Sequence, residues 1–93
     1  MDDSRVRRLG RLRYRSWHRG TREMDLLLGP YADQRLAELD EAGLADYERL
    51  LELPDPQLFA WLSGQAAVPP EADRPALRRV MEFCRKRSQS PTE

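Results

Sequence analysis

Apolar residues recur along this chain at intervals of three and four, which is the spacing of one face of an α-helix. Val, Ile and Thr are scarce, and no alternating run is bounded by turn residues, so no strand is predicted. The pattern predicts an all-α fold, a small five-helix antiparallel bundle with short connections. We expect one domain over residues 1–93, ordered over about 4–87, with 88–93 as a frayed tail.

The first helix is predicted over residues 4–17, with Ser4 as its N-cap and with Val6, Leu9, Leu12 and Trp17 near one face. Gly10 costs this helix about 1 kcal/mol relative to Ala, so it needs tertiary support. The second helix is predicted from Thr21 to Leu39. Gly29-Pro30 interrupts it, because proline removes a backbone donor and clashes with the preceding turn. A kink is predicted rather than a break, because Tyr31, Leu36 and Leu39 resume an apolar stripe.

Three more helices follow in the second half of the chain. Asp40 is the predicted N-cap of the third, which ends near Leu53, before a proline. Asp55-Pro56 predicts the cap and first-turn proline of the fourth, which ends at Gly64. A loop over 65–72 leads to the fifth helix, over 73–87. The residues expected to face inward are Leu44, Tyr47, Leu50, Leu51, Leu58, Phe59, Trp61, Leu62, Leu77, Val80, Met81 and Cys84.

The composition argues against several classes of function. Cys84 is the only cysteine and His18 the only histidine, so no cysteine- or histidine-rich metal site and no intrachain disulfide is expected. No run approaches the ~20 apolar residues of a membrane span. No nucleophile is recognisable beside His18, and neither a glycine-rich dinucleotide motif nor a P-loop is found. We therefore expect no enzyme, no catalytic, cofactor-binding or metal-binding residue, no membrane insertion, and a monomer.

The charges are unevenly distributed although they sum to zero. Residues 1–22 carry eight Arg against two Asp, whereas residues 23–62 carry ten acidic residues against two Arg. Such a division serves either internal complementarity between the two halves or a charged partner surface. The sequence leaves both interpretations open.

The richest local pattern is the run from His18 to Asp25, at the corner between the first two predicted helices. Gly20 suits the position after a helix, where a left-handed conformation is costly for other residues, and Thr21 can cap the next helix. Arg19 on one side, and Glu23 and Asp25 on the other, complement the two helix dipoles.

The same corner can serve recognition. A glycine at an exposed corner lets another protein's backbone approach closely. Directional hydrogen-bonding groups surround it, with an aromatic residue alongside, in an arrangement typical of binding hot spots. The predicted partner-binding residues are Trp17, Arg19, Gly20, Arg22, Glu23 and Asp25.

The R-G-x-x-E-x-D pattern of Arg19–Asp25, followed by Tyr47–Glu52, Asp55-Pro56 and Leu58–Leu62, resembles the SdhE/YgfY family over roughly residues 8–87. Its mitochondrial members are called succinate dehydrogenase assembly factor 2. The resemblance implies an assembly factor that binds the flavoprotein subunit of succinate dehydrogenase, and of the related fumarate reductase as a second client. It would promote the covalent attachment of FAD to a histidine of that subunit, in a reaction that is autocatalytic on the client. FAD would belong to the client, and this chain would hold no cofactor of its own.

A different class of function also fits the arginine-rich start, namely a nucleic-acid-binding or antitoxin-like small helical regulator. Against it, no helix-turn-helix is recognisable, and the acidic middle of the chain would repel a nucleic acid. We therefore expect no nucleic-acid partner. Asp2 and Asp3 argue against a mitochondrial leader, and we expect a bacterial cytoplasmic protein.

Overall fold

A computed structural model describes residues 3–89, in which five α-helices and two short 3-10 helices occur and no strand is found. The α-helices are α1 (Asp3–Trp17), α2 (Arg22–Arg35), α3 (Glu41–Leu51), α4 (Asp55–Leu62) and α5 (Pro75–Gln89). The 3-10 helices are Leu36–Glu38 and Pro70–Ala72. The prediction of an all-α, five-helix fold is confirmed. α5 continues two residues past its predicted end, and the rest of the predicted tail, 90–93, lies outside the described residues.

Two of the predicted helix caps are confirmed. Thr21 accepts a hydrogen bond from the backbone N–H of Met24 at 3.3 Å, and Asp40 accepts one from that of Gly43 at 2.8 Å. These bonds satisfy backbone donors that the first turn of a helix leaves free.

Two other predicted caps are wrong. Ser4 lies inside α1, because the helix already begins at Asp3. Asp55 is the first residue of α4 and makes no capping bond, since Pro54 precedes the helix and the Asp55 carboxylate binds an arginine instead. Sequence position alone does not reveal that competing partner.

α2 passes through Gly29-Pro30 without interruption and ends at Arg35, short of the predicted Leu39. A 3-10 turn completes the segment, and the backbone N–H of Leu39 donates to the carbonyl of Leu36. The tighter turn satisfies part of the helix end, which no side chain caps.

One core draws side chains from all five helices. Its largest members are Leu12, Met24, Leu28, Tyr31, Leu36, Leu44, Tyr47, Leu50, Leu51, Leu58, Trp61, Leu77, Val80 and Phe83. Met24, Leu28 and Phe83 were not among the predicted inward residues. Met81 and Cys84, which were, are only half-buried.

The first helix contributes a buried polar contact to this core. The Ser16 hydroxyl donates to the Leu12 carbonyl at 2.7 Å and lies 2.6 Å from the Tyr47 hydroxyl. Because the buried hydroxyls satisfy one another, neither carries the cost of an unpaired polar group. The bond fixes α1 against α3 beneath the corner at residues 18–21.

Candidate functional site

The corner between α1 and α2 is a short turn with an exposed glycine at its tip. Gly20 has a φ of +114°, which residues with a side chain rarely adopt. A Cβ there would meet only Asp55 Oδ2, at 3.9 Å, so the glycine is required by the backbone angle and not by crowding. The backbone N–H of Arg19 donates to Asp25 Oδ1 at 2.7 Å and closes the turn.

The Arg19 side chain points inward and is almost wholly used by the fold. Its Nε donates to Asp55 Oδ1 at 2.9 Å, and its Nη2 lies 2.6 Å from the same oxygen. Nη1 donates to the Leu51 carbonyl at 2.6 Å and Nη2 to the Leu53 carbonyl at 3.0 Å. Only 10% of the Arg19 side chain is exposed. Arg19 and Asp25 thus form the framework of the corner rather than its open surface.

Arg22 and Glu23 are different, because both side chains are exposed on the first turn of α2. Neither forms an ion pair or a side-chain hydrogen bond within residues 3–89. Both residues lie close in the chain to the exposed backbone of Gly20.

An apolar pocket opens next to Glu23, where the first turns of α2 and α4 lie side by side. Its volume is about 340 Å³, and it is lined by Thr21, Glu23, Met24, Asp55, Pro56 and Phe59. Phe59 was predicted to lie in the core, and this pocket was not predicted from the sequence. The sequence feature that could have indicated the pocket is the pair Pro56 and Phe59, three residues apart at the start of α4. What the sequence lacked was the bond between Arg19 and Asp55 that brings α4 to the corner.

Trp17, the predicted aromatic anchor, is a packing residue. Its indole lies against Gly29, where an added Cβ would fall 2.3 Å from a ring carbon. Its Nε1 lies 3.2 Å from each carboxylate oxygen of Asp33 and donates to that group. The half-buried ring seals the contact between α1 and α2, so only its remaining exposed part can contribute to binding.

His18 lies on the surface. Its ring stacks on Tyr14 with a centroid distance of 4.0 Å, and its Nδ1 lies 2.8 Å from the Tyr14 carbonyl oxygen. Tyr14 itself is 64% exposed. The pair presents a flat aromatic surface on the outer side of α1.

The charge division of the sequence provides internal complementarity between α1 and α3. Arg5 and Arg8 of α1 pair with Glu41 and Glu48 of α3, and the bonds from Arg8 lower the pKa of the Glu48 carboxyl. Four other arginines among residues 1–22 are exposed and form no ion pair within the described part of the chain: Arg7, Arg11, Arg15 and Arg22. Part of the basic charge is therefore paired within the fold, and part is exposed on α1 and at the start of α2.

The described residues contain no group of three or more His, Cys, Asp or Glu side chains that could hold a metal ion. None of the helices in the same range has the length and hydropathy needed to cross a membrane.

Comparison with known proteins places this chain in a family. Residues 10–84 match the Sdh5 family model, described as "Flavinator of succinate dehydrogenase". The chain is 40% identical over 86 residues to the FAD assembly factor SdhE of Acetobacter pasteurianus, covering 92% of this chain and 79% of that protein. It is 41% identical over 75 residues to mitochondrial succinate dehydrogenase assembly factor 2 of Dictyostelium discoideum, covering 81% of this chain. The chain spans about half, 53%, of the length of that second relative. No solved structure matches the chain.

Proposed function

Since this chain belongs to the Sdh5 family, the flavinators of succinate dehydrogenase, we propose that it binds the flavoprotein subunit of that enzyme through the α1–α2 corner and promotes its covalent flavinylation. The binding site is assigned to this corner because some of its residues hold the turn and others are exposed. Arg19 and Asp25 hold the turn from inside, while Arg22 and Glu23 are exposed near Gly20 and have no ion pair within residues 3–89.

The internal hydrogen bonds preorganise the corner for binding. A turn already fixed by four side-chain hydrogen bonds of Arg19 and Asp25 loses little conformational freedom when a partner binds. Gly20 allows a partner backbone to approach. Glu23 can then accept a charge-assisted hydrogen bond from the partner, and the neighbouring pocket can receive one apolar side chain.

The proposed role is that of a non-catalytic helper. In this proposal FAD and the reacting histidine belong to the client, and the helper binds more tightly to the client conformation in which they can react. A difference in binding free energy of about 2–3 kcal/mol would raise the reactive population up to about a hundredfold. Neither a nucleophile nor a metal on this chain is needed for that effect.

The outward arginines of α1 support a protein client with an acidic surface next to the corner. Opposite charges steer two proteins together and raise their association rate at low salt. The same arginines could contact phosphates, but the family match favours the protein client over the nucleic-acid-binding alternative. A bacterial relative named as an FAD assembly factor supports a cytoplasmic site of action.

The proposal is tested by co-expressing the flavoprotein subunit with this chain and measuring covalent flavin by fluorescence of the denatured subunit in a gel. Glu23→Gln keeps the size of the side chain and removes its charge. We expect it to reduce covalent flavin about tenfold or more, as loss of an interface anchor does. Glu71→Gln is the matched control, since Glu71 is exposed on the 3-10 helix far along the chain, and it should leave flavinylation unchanged.

Equal flavinylation with and without the wild-type chain would overturn the proposed function. Equal flavinylation by wild type and Glu23→Gln would remove Glu23 from the site. Gly20→Arg is a weaker test than Glu23→Gln, because the positive φ strains any side chain at that position and folding would change together with binding.

A further inference from the structure

A second groove lies between α2, the end of α4 and α5, and shares no lining residue with the pocket at the corner. Its volume is about 960 Å³. We call it the distal groove and define it by its apolar lining, Leu26, Leu27, Trp61, Leu62, Met81 and Cys84, and its charged rim, Arg78, Glu82, Arg85 and Arg87.

The lining of the distal groove is apolar surface that the fold leaves uncovered. Leu26 is 48% exposed. Leu27, Leu62 and Met81 are half-buried, and each packs against the core from its outer side. Contiguous apolar surface with a charged rim is typical of protein interaction sites.

The rim carries an excess of positive charge. Arg78 pairs with Asp73 at 3.1 Å and Arg85 pairs with Glu82 at 2.5 Å, so the excess charge of the rim is that of Arg87. Arg87 lies over the ring of Phe83, 5.6 Å from its centroid, and forms no ion pair within residues 3–89. An apolar floor beneath this rim fits a segment whose apolar side chains are flanked by Asp or Glu.

The distal groove continues the face that carries the proposed site. Leu26 and Leu27 follow Glu23 by three and four residues, so they lie one turn further along the same side of α2. A partner held at Glu23 can therefore extend into the groove without crossing to another face of the molecule.

We propose that the distal groove binds an acidic segment with apolar side chains, supplied by the same flavoprotein subunit that docks at the corner. This inference rests on the proposed function. Two adjoining contacts would make the second binding event intramolecular and raise the overall affinity.

Cys84 provides a reporter within the groove, because it is the only cysteine of the chain. The probe is the purified flavoprotein subunit, and the readout is the rate at which N-ethylmaleimide adds to Cys84, followed by the intact mass of this chain. Burial raises the pKa of the thiol, so the free protein should react slowly but measurably. In the saturated complex we expect labelling to be about tenfold slower, since the occupied groove must open before the thiol reacts.

Two variants test the groove by affinity. Leu26→Gln removes the exposed apolar contact, and Arg87→Glu reverses a charge of the rim. Each should raise the Kd for the flavoprotein subunit about tenfold, the effect of losing an interface anchor. Arg79→Glu is the matched control, because Arg79 is exposed on the same helix but lines a different groove, with Tyr31 and Phe83. Its Kd should stay within about twofold of wild type, and thermal melts should show all three proteins folded.

The outcomes separate the two proposals. If Glu23→Gln weakens the complex while Leu26→Gln and Arg87→Glu bind as wild type, and Cys84 reacts at the free rate, the distal groove is not a docking site and the corner is. If the wild-type chain binds no flavoprotein subunit at all, both proposals fall. Protection of Cys84 together with weaker binding by both groove variants, but not by Arg79→Glu, supports the groove.

Discussion

The guanidinium group of Arg19 connects three parts of the chain. It joins the corner after α1 to the end of α3, through two backbone carbonyls, and to the start of α4, through Asp55. A planar group with donors in fixed directions suits these acceptors, whereas an ammonium group cannot reach all of them in one position. Arg19 therefore supports the candidate site from below.

We expect Arg19→Lys to lower the free energy of unfolding by about 2–3 kcal/mol, because Asp55 and two carbonyls would lose bonds in a poorly hydrated position. Urea unfolding measured by circular dichroism checks this value. Arg22→Lys is the control, since Arg22 is exposed and unpaired within the described residues, and it should change stability by less than about 0.5 kcal/mol. Equal effects of the two substitutions would contradict the internal role of Arg19.

Two glycines within the helices, Gly10 and Gly29, have opposite effects on stability. Gly10 lies in the exposed middle of α1, with nothing within 4 Å of an added Cβ. Gly29 lies in α2 under the Trp17 indole, where an added Cβ would overlap the ring. The first weakens its helix without visible compensation, while the second permits α1 and α2 to pack closely.

We expect Gly10→Ala to raise the free energy of unfolding by about 0.5–1 kcal/mol and Gly29→Ala to lower it by about 1–3 kcal/mol through overpacking. Denaturant midpoints measured side by side test both. The displaced indole of Gly29→Ala should also lose its bond to Asp33, which a shift in tryptophan fluorescence would report. Stabilisation by both substitutions would show that Trp17 does not occupy the space above Gly29.

Across the whole molecule, the composition of basic side chains determines which groups make the folding stability depend on alkaline pH. Its basic side chains are 15 arginines and one lysine, and arginine stays protonated at any ordinary pH. Alkaline titration therefore acts mainly on tyrosine and cysteine. Burial raises the pKa of Tyr47, Tyr31 and Cys84 above their ordinary values.

A group whose pKa is raised by folding contributes stability that is present below its unfolded pKa and is lost above it. For the tyrosines this loss begins near pH 10 and reaches at most about 1.4 kcal/mol per pH unit for each group. Tyr47→Phe should lower stability at pH 8 by about 1 kcal/mol, through the lost bond to Ser16. It should also lose less stability than wild type between pH 8 and pH 11. Urea unfolding at both pH values measures the difference, with exposed Tyr14→Phe as the control that keeps the wild-type dependence.

The fold was predictable because its signals are local. The helices could be placed to within a few residues of their observed bounds. The signals were the apolar spacing, the caps at Thr21 and Asp40 and the prolines at 54 and 56. The left-handed turn at Gly20 was predictable for the same reason. Errors arose where a distant partner competes for a side chain, as Arg19 does for the carboxylate of Asp55.

By itself, the sequence determined the helical class, most helix boundaries, the family and the corner as the place to look. The tertiary structure decided which corner residues are free. Arg19, Asp25 and Trp17 are engaged by other parts of the fold, whereas Arg22 and Glu23 are left exposed. The physical reason is that helix formation depends on neighbours three or four residues apart, while the availability of a charged side chain depends on groups brought close only when the helices pack.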